Sequence, residues 1–245
     1  MCCNKIDESR RNILKGSIAS AGFIALAGTT SLLAPSVSYA ASLSQADRDA
    51  MTTDDVLSFL KEGNNRFIND KALKHDYKAQ KLASQHGQYP AAVILSCIDS
   101  RAPAEIILDS GIGDVFNSRV AGNISNSDIL GSMEFACAVA GAKVVLVLGH
   151  TKCGAVQGAI ANAELENLTG LLDKIKPAIA KTEYAGEKSA DNYDFVDAVA
   201  KTNVLMTVEN IRAESNTLRE LEAEGKIKIV GAMYNISNGQ VDFIS

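Results

Sequence analysis

The chain has 245 residues, of which 47% are hydrophobic and 22% charged, and its formal net charge is −5. This composition is typical of a globular protein with one domain or two small ones, and it excludes a disordered chain, a collagen-like repeat and a small disulfide-rich scaffold. The acidic balance and the lack of tryptophan argue against a nucleic-acid-binding protein, which would present a basic face and aromatic stacking platforms.

The first 40 residues differ from the rest of the chain and predict a cleaved signal peptide. Arg10 and Arg11 form an arginine pair, and residues 16–33 form an apolar run diluted by Ser, Thr and Gly. Ser38 and Ala40 then supply small residues at positions −3 and −1 of a cleavage point. The segment resembles a twin-arginine export signal, which implies a periplasmic protein that is exported folded and meets the membrane only in transit. The alternatives are an ordinary N-terminal helix and a membrane anchor.

Residues 41–90 are predicted to form an N-terminal helical arm and a connector. Residues 41–52 are polar and are expected to be loose. An apolar stripe with polar residues between its members predicts a helix that begins at Thr52 or Thr53 and ends near Phe67.

The connector is the second half of this segment, residues 69–90. It is rich in lysine and ends in a Gly-Gln-Tyr-Pro turn sequence. Its two histidines, His75 and His86, are expected to be solvated.

Residues 91–245 are predicted to form an α/β domain. The continuous apolar runs over residues 91–96 and 143–148 are typical of strands that are covered on both faces. The other predicted elements are a short helix at 103–109, a strand at 114–120, a helix at 127–139, mostly helical structure over 154–180, a helix or helix pair at 193–224, and strands at 226–234 and 240–244. This alternation predicts a mostly parallel β-sheet flanked by helices. Cys137 is interpreted as a small hydrophobic core residue.

Two clusters of reactive side chains directly follow the two buried strands. Cys97, Asp99 and Arg101 follow the first strand, and His150 and Cys153 follow the second. Because ligand sites in open α/β sheets collect at the carboxyl ends of strands, we expect the clusters to meet. Two thiolates and one imidazole form a ligand set for a catalytic zinc ion, which keeps one coordination position open.

The two cysteines of these clusters also have a simpler interpretation. Cys97 and Cys153 alone would fit inert core cysteines or a disulfide, but the spacing of His150 and the nearby Asp99–Arg101 pair favour a metal site.

Asp99 can either orient a water molecule beside the zinc or bind the metal as a fourth ligand. Arg101 competes with the metal for this carboxylate, since an arginine can bind it in bidentate fashion.

The spacing within the two clusters matches a known family. The motifs are Cys97-x-Asp99-Ser100-Arg101 and His150-x-x-Cys153-Gly154. Supporting stretches occur at residues 61–67, 119–123, 131–136 and 224–231. With these motifs in order, residues 52–245 resemble a beta-class carbonic anhydrase.

The resemblance implies one Zn²⁺ per chain, held by Cys97, His150 and Cys153. It implies reversible hydration of carbon dioxide to bicarbonate and a proton, by a zinc-bound hydroxide that the Asp99–Arg101 dyad orients. It also implies a homodimer or homotetramer in which the N-terminal arm wraps a partner. The alternatives are a carbon disulfide or carbonyl sulfide hydrolase on the same scaffold and a non-catalytic exported zinc-binding protein.

A side pocket for inhibitory bicarbonate occurs in some members of this family, and it is built from a Trp, an Arg and a Tyr. Arg119 and Tyr234 match two of these positions, whereas Ile94 stands at the Trp position. The resemblance therefore implies an incomplete bicarbonate pocket in this chain.

Overall fold

A computed structural model of the chain describes residues 38–39 and 42–245. The predicted export signal, residues 1–40, lies outside these described residues apart from Ser38 and Tyr39. Among the helices that the structure describes, none is long and apolar enough to cross a membrane. The export prediction therefore rests on the sequence.

The N-terminal arm contains more helix than the sequence predicted. Helix α1, Gln45–Ala50, lies in the segment that was expected to be loose. Ser44 accepts a hydrogen bond from the backbone N–H of Asp47, whose carboxylate accepts one from the backbone N–H of Ser44. The expectation of a loose segment is wrong, because this reciprocal capping box satisfies the first turn of the helix. Helix α2, Thr53–Ile68, begins after its cap Thr52 as predicted.

The connector also contains regular structure. Strand β2, Lys74–His75, pairs in parallel with strand β1, Ser38–Tyr39. Helix α3, Tyr77–Ser84, follows, and the side chain of its cap Asp76 accepts a hydrogen bond from the backbone N–H of Ala79. The segment 69–90 is therefore a folded part of the molecule.

His75 is not solvated, and this prediction is wrong. Only 6% of its side chain is exposed, and its Nε2 lies 3.0 Å from Oδ1 of Asp109. Asp109 also accepts a hydrogen bond from Nε of Arg66 at 2.5 Å, so its carboxylate links the arm to the rest of the fold. The contact between His75 and Asp109 spans 34 residues of sequence, and local patterning does not reveal it. His86 is exposed, as expected.

The central sheet has five strands in the order β4-β3-β5-β6-β7. The strands are β3 Ala92–Ser96, β4 Val115–Arg119, β5 Val144–His150, β6 Lys228–Tyr234 and β7 Val241–Phe243. The first four in this spatial order run parallel, and β7 is antiparallel to β6. Every residue of β3 and β5 is buried, as expected for strands in the middle of a sheet with both faces covered. The prediction of a mostly parallel sheet is confirmed.

Helices cover both faces of this sheet. They are α4 Ala104–Ile107, α5 Ser127–Glu134 with a π-helical extension Phe135–Val139, α6 Gly154–Ile160, α7 Glu166–Asp173, α8 Lys176–Lys181, α9 Tyr193–Glu214 and α10 Asn216–Ala223. On one face Leu60 of α2 packs in a cluster with Ile94, and on the other Val204 of α9 packs with Val93. Cys137 is buried in this second cluster, as predicted. The cap of α5 is Asn126, whose side chain accepts a hydrogen bond from the backbone N–H of Ile129.

Helix α2 approaches the loop after α4 so closely that only a glycine fits. A Cβ atom on Gly63 would lie 1.9 Å from the backbone oxygen of Leu108. The next residue, Asn64, donates from Nδ2 to the backbone oxygen of Ile107 at 3.1 Å and accepts from the backbone N–H of Val241 at 2.9 Å. These contacts fix the arm against the domain that carries the reactive clusters.

Candidate metal centre

The reactive residues stand at the carboxyl ends of two neighbouring strands. Cys97 directly follows β3, and His150 is the last residue of β5. The two strands pair in parallel, with Ser96 opposite Leu148, so their carboxyl ends lie at the same edge of the sheet. Cys153 is three residues beyond β5 and is the N-cap residue that directly precedes α6. The strand pairing therefore brings residues from both clusters together.

The donor atoms of Cys97, His150 and Cys153 all lie within 4.8 Å of one another. The two Sγ atoms are 4.0 Å apart, and both cysteines are free, which excludes the disulfide alternative. With Zn–S bonds of about 2.3 Å, two sulfurs on a tetrahedral zinc ion lie about 3.8 Å apart. The spacing of the sulfurs therefore fits zinc coordination.

The imidazole of His150 supports the same interpretation. Its Nδ1 lies 2.9 Å from the backbone oxygen of Thr151, which fixes the ring and leaves Nε2 as the free donor atom. Nε2 is buried and has no hydrogen-bond partner in the described part of the chain. Since a buried polar atom is normally paired, this nitrogen indicates a ligand, and zinc fits it.

The charges in the cluster depend on one another. The Cys153 thiol is the main cause that lowers the pKa of Cys97, and its effect outweighs the opposing effect of burial. The backbone N–H of Gly122 contributes in the same direction by donating to Sγ of Cys97 at 3.3 Å. The resulting thiolate and burial raise the pKa of Cys153. A divalent cation stabilises both thiolates, which the metal-free site does not.

Asp99 and Arg101 form an ion pair beside the cluster. Nε and Nη2 of Arg101 donate to the two carboxylate oxygens at 3.0 and 2.8 Å, and the backbone N–H of Arg101 adds a third bond at 2.9 Å. The Arg101 guanidinium holds the pKa of Asp99 at about 2. Oδ2 of Asp99 lies 3.9 Å from Nε2 of His150. The carboxylate is thus adjacent to the donor atoms but is held by Arg101.

Arg119 and Tyr234, the residues of the predicted side pocket, lie on strands that flank this site. Nε of Arg119 donates to the backbone oxygen of Cys97 at 2.9 Å, and its Nη2 donates to that of Asp99 at 2.7 Å. Arg119 thereby braces the loop that carries both residues. Tyr234 is opposite His150 in the β5–β6 pairing and is buried. The bicarbonate pocket itself stays a prediction.

Two further residues position the second ligand loop, and sequence reasoning missed their role. Lys152, between His150 and Cys153, has a positive φ of 53°. Its backbone N–H donates to Oδ1 of Asp197 on α9 at 2.6 Å, which fixes the loop in this conformation. The sequence offered no signal for Asp197, since it lies 45 residues from Lys152 on a helix with several other polar side chains.

Several known proteins are similar to this chain in amino-acid sequence. The carbonic anhydrase family profile matches residues 92–241. Carbonic anhydrase 2 of Mycobacterium tuberculosis is 37% identical over 186 residues, which cover 74% of this chain and 87% of that protein. A carbonic anhydrase of Mycolicibacterium smegmatis is 32% identical and covers 76% of this chain and 90% of its own length.

Solved structures agree with the fold. A tetrameric beta-carbonic anhydrase of the fungus Sordaria macrospora superposes with a TM-score of 0.60 at 26% identity, covering 78% of this chain and 98% of that one. A beta-carbonic anhydrase of Aspergillus fumigatus has a TM-score of 0.62 at 24% identity, covering 78% and 90%. The sequence matches and the shared α/β fold, together with the Cys-His-Cys cluster, show that the chain belongs to the beta-class carbonic anhydrases, zinc enzymes that hydrate carbon dioxide.

Proposed function

We propose that Cys97, His150 and Cys153 hold one Zn²⁺ per chain for the reversible hydration of carbon dioxide to bicarbonate and a proton. The observation that carries this assignment is the convergence of three donor atoms within 4.8 Å. One of them, Nε2 of His150, is buried and has no hydrogen-bond partner in the described part of the chain. The known ligand preferences of zinc support the same set.

Asp99 and Arg101 are proposed as the dyad that directs the reaction. Zinc, when bound, would lower the pKa of a water molecule and make hydroxide available near neutral pH. The Asp99 carboxylate, ionised above a pKa of about 2, accepts a hydrogen bond from the attacking hydroxyl group and so fixes its orientation toward the carbon dioxide carbon. Arg101 holds this carboxylate through two side-chain hydrogen bonds, which would keep it from binding the metal. The proton that the reaction releases would pass to solvent.

Metal analysis of ligand variants tests the zinc assignment. Cys97→Ser, His150→Ala and Cys153→Ser are each expected to lose most of the zinc, because two remaining donors do not complete a site. Cys137→Ala is the matched control, since Cys137 is also buried and free but is not part of the cluster. Full zinc occupancy in Cys153→Ser would contradict the assignment.

Two assays on one zinc-loaded preparation test the reaction. We expect carbon dioxide hydration without turnover of carbon disulfide. Carbon disulfide turnover without carbon dioxide hydration would make the protein a hydrolase on the same scaffold. Activity toward neither substrate at full zinc occupancy would make it a non-catalytic zinc-binding protein.

The proposed assembly is a homodimer or homotetramer of zinc-binding α/β domains, residues 91–245, in which the arm of residues 41–90 wraps a partner. The tetrameric relative from Sordaria macrospora supports an assembly of this kind. The single chain also leaves two apolar side chains, Phe135 and Val139, 49% and 73% exposed, and Phe135 contacts Phe116 of the edge strand β4. Light scattering is expected to give the mass of two or four chains, and the mass of one chain would contradict this proposal.

The proposed location is the periplasm, reached through a twin-arginine-type signal in residues 1–40. The arginine pair and the small residues before Ala41 support it. Replacement of Arg10 and Arg11 by lysines is expected to retain the precursor in the cytoplasm, whereas Lys15→Gln, which leaves the pair intact, is expected to be exported. Normal export of the double-lysine variant would instead indicate a general secretory signal.

A further inference from the structure

The long helix α9 contacts the turn that lies against Cys97. Asn203 is on this helix and is 97% buried. Its Nδ2 donates a hydrogen bond to the backbone oxygen of Gly122 at 2.8 Å. This bond connects residues 81 positions apart in the sequence. This buried amide anchors the short 3-10 turn of residues 121–123, in which the backbone N–H of Asn123 also donates to the backbone oxygen of Val120 at 2.9 Å.

Gly122 connects Asn203 to the proposed zinc ligand through two successive peptide groups, because its carbonyl accepts from Asn203 and its N–H faces Cys97. Its backbone N–H donates to Sγ of Cys97 at 3.3 Å, so the turn at residues 121–123 presents a peptide dipole to the sulfur. Gly122 has a φ of 70°, and a Cβ atom there would lie 2.6 Å from Cδ1 of Ile175. Only glycine adopts this conformation in the available space without strain.

We infer that Asn203 is a positioning residue for the zinc centre: by anchoring the backbone on both sides of the Gly122 Cα, it holds the N–H that donates to the Cys97 thiolate. The inference rests on the proposed role of Cys97 as a zinc ligand. Hydrogen bonds to a ligand sulfur limit the electron density that the sulfur donates and hold it in one place, and both effects alter metal affinity and electronic structure. Asn203 thus acts on the metal without contact with substrate.

The test compares Asn203→Leu with the wild-type protein. Leucine has a similar volume but cannot donate to the Gly122 oxygen, so the turn loses its anchor while the core stays filled. Zinc affinity, measured in competition with a chromogenic chelator, is expected to fall by about 10- to 100-fold, the range found for outer partners of metal ligands. In protein loaded with Co²⁺, the thiolate-to-metal charge-transfer band is expected to shift to longer wavelength, because the sulfur has lost a hydrogen bond.

Thr202→Val is the matched control, on the neighbouring residue of the same helix. It removes the hydroxyl that accepts a hydrogen bond from Oγ1 of Thr182 at 2.9 Å, away from the ligand loops. We expect its zinc affinity and Co²⁺ band to equal those of the wild type. If Asn203→Leu does not fold, Asn203→Ala is measured in its place.

The outcomes separate this inference from the function on which it rests. An unchanged zinc affinity and Co²⁺ band in the Asn203 variant overturns the positioning role. An equal loss of affinity in Thr202→Val also overturns it, because the loss would then follow from general stability. Absence of zinc binding by the wild type, or full zinc in Cys97→Ser, would instead refute the proposed zinc site.

Discussion

Removal of the Arg101 side chain tests how the dyad controls the metal. In the structure Arg101 gives the Asp99 carboxylate two side-chain hydrogen bonds, and only the backbone N–H of residue 101 would remain after Arg101→Ala. Oδ2 of Asp99 is already 3.9 Å from Nε2 of His150. The released carboxylate is therefore expected to occupy the open coordination position and displace the water that must become the nucleophile.

The expected magnitudes differ for stability and for activity. The Arg101 side chain is 53% exposed, so its ion pair contributes at most about 1 kcal/mol to the free energy of unfolding. Loss of a partner that orients a group at a metal typically costs about 10- to 100-fold in activity. For carbon dioxide hydration this corresponds to about 1.4–2.7 kcal/mol of activation free energy. Zinc content is expected to stay at one ion per chain.

Three measurements on Arg101→Ala test whether the Asp99 carboxylate takes the open coordination position: stopped-flow carbon dioxide hydration, metal analysis and X-ray absorption at the zinc edge. Arg219→Ala is the matched control, because Arg219 is an exposed arginine whose Nη2 donates to the side chain of Asn216, away from the cluster. A first shell of two sulfurs, one nitrogen and a water oxygen, together with near-normal activity, would refute the reasoning and leave the dyad with a structural role only.

Three further predictions follow from the packing around the site. Gly63→Ala is expected to destabilise the fold by about 3 kcal/mol in urea titrations, since its methyl group would overlap a backbone oxygen. Gly170→Ala, within α7 and with no atom within 4 Å of the added carbon, should be neutral or stabilising in the same titrations. Burial raises the pKa of Cys137 to about 12. After treatment of the native protein with iodoacetamide at pH 8, mass spectrometry should therefore find this thiol unmodified. Rapid labelling would instead show that its helix opens. Asp197→Ala should weaken zinc binding by about 10-fold, whereas Asp197→Asn, which keeps an acceptor for the Lys152 N–H, should preserve it. If both variants bind zinc as tightly as the wild type, the loop needs no such anchor.

The sequence predicted those parts of the fold in which a local pattern of apolar residues indicates one type of secondary structure. The short apolar runs that contain Ile94 and Leu146 are typical of strands with both faces covered, and such strands pair in parallel in an α/β sheet. Placing Cys97 and His150 at the ends of these strands then required only the rule that parallel strands end at a common edge. The convergence of the two clusters was therefore predictable without coordinates.

The parts that were missed depend on contacts between distant segments or on a local motif that was not weighed. His75 is buried because Asp109 offers it a carboxylate, and Asn203 contacts the site because a helix crosses behind Gly122. Neither side chain is distinguished from a solvated one by its neighbours in the sequence. The helix after Ser44 had a visible signal, since an acidic residue three positions after a serine completes a capping box.

The origin of the three donor atoms has a consequence for how the protein acquires its stability. Cys97 and Cys153 are 56 residues apart in the chain, so an ion held by both acts as a cross-link that exists only in the folded state. By mass action, each tenfold rise of free zinc above the dissociation constant adds about 1.4 kcal/mol to the free energy of unfolding. Folding and metal binding would then be a single coupled equilibrium, and the melting temperature would rise with the free zinc concentration at which it is measured.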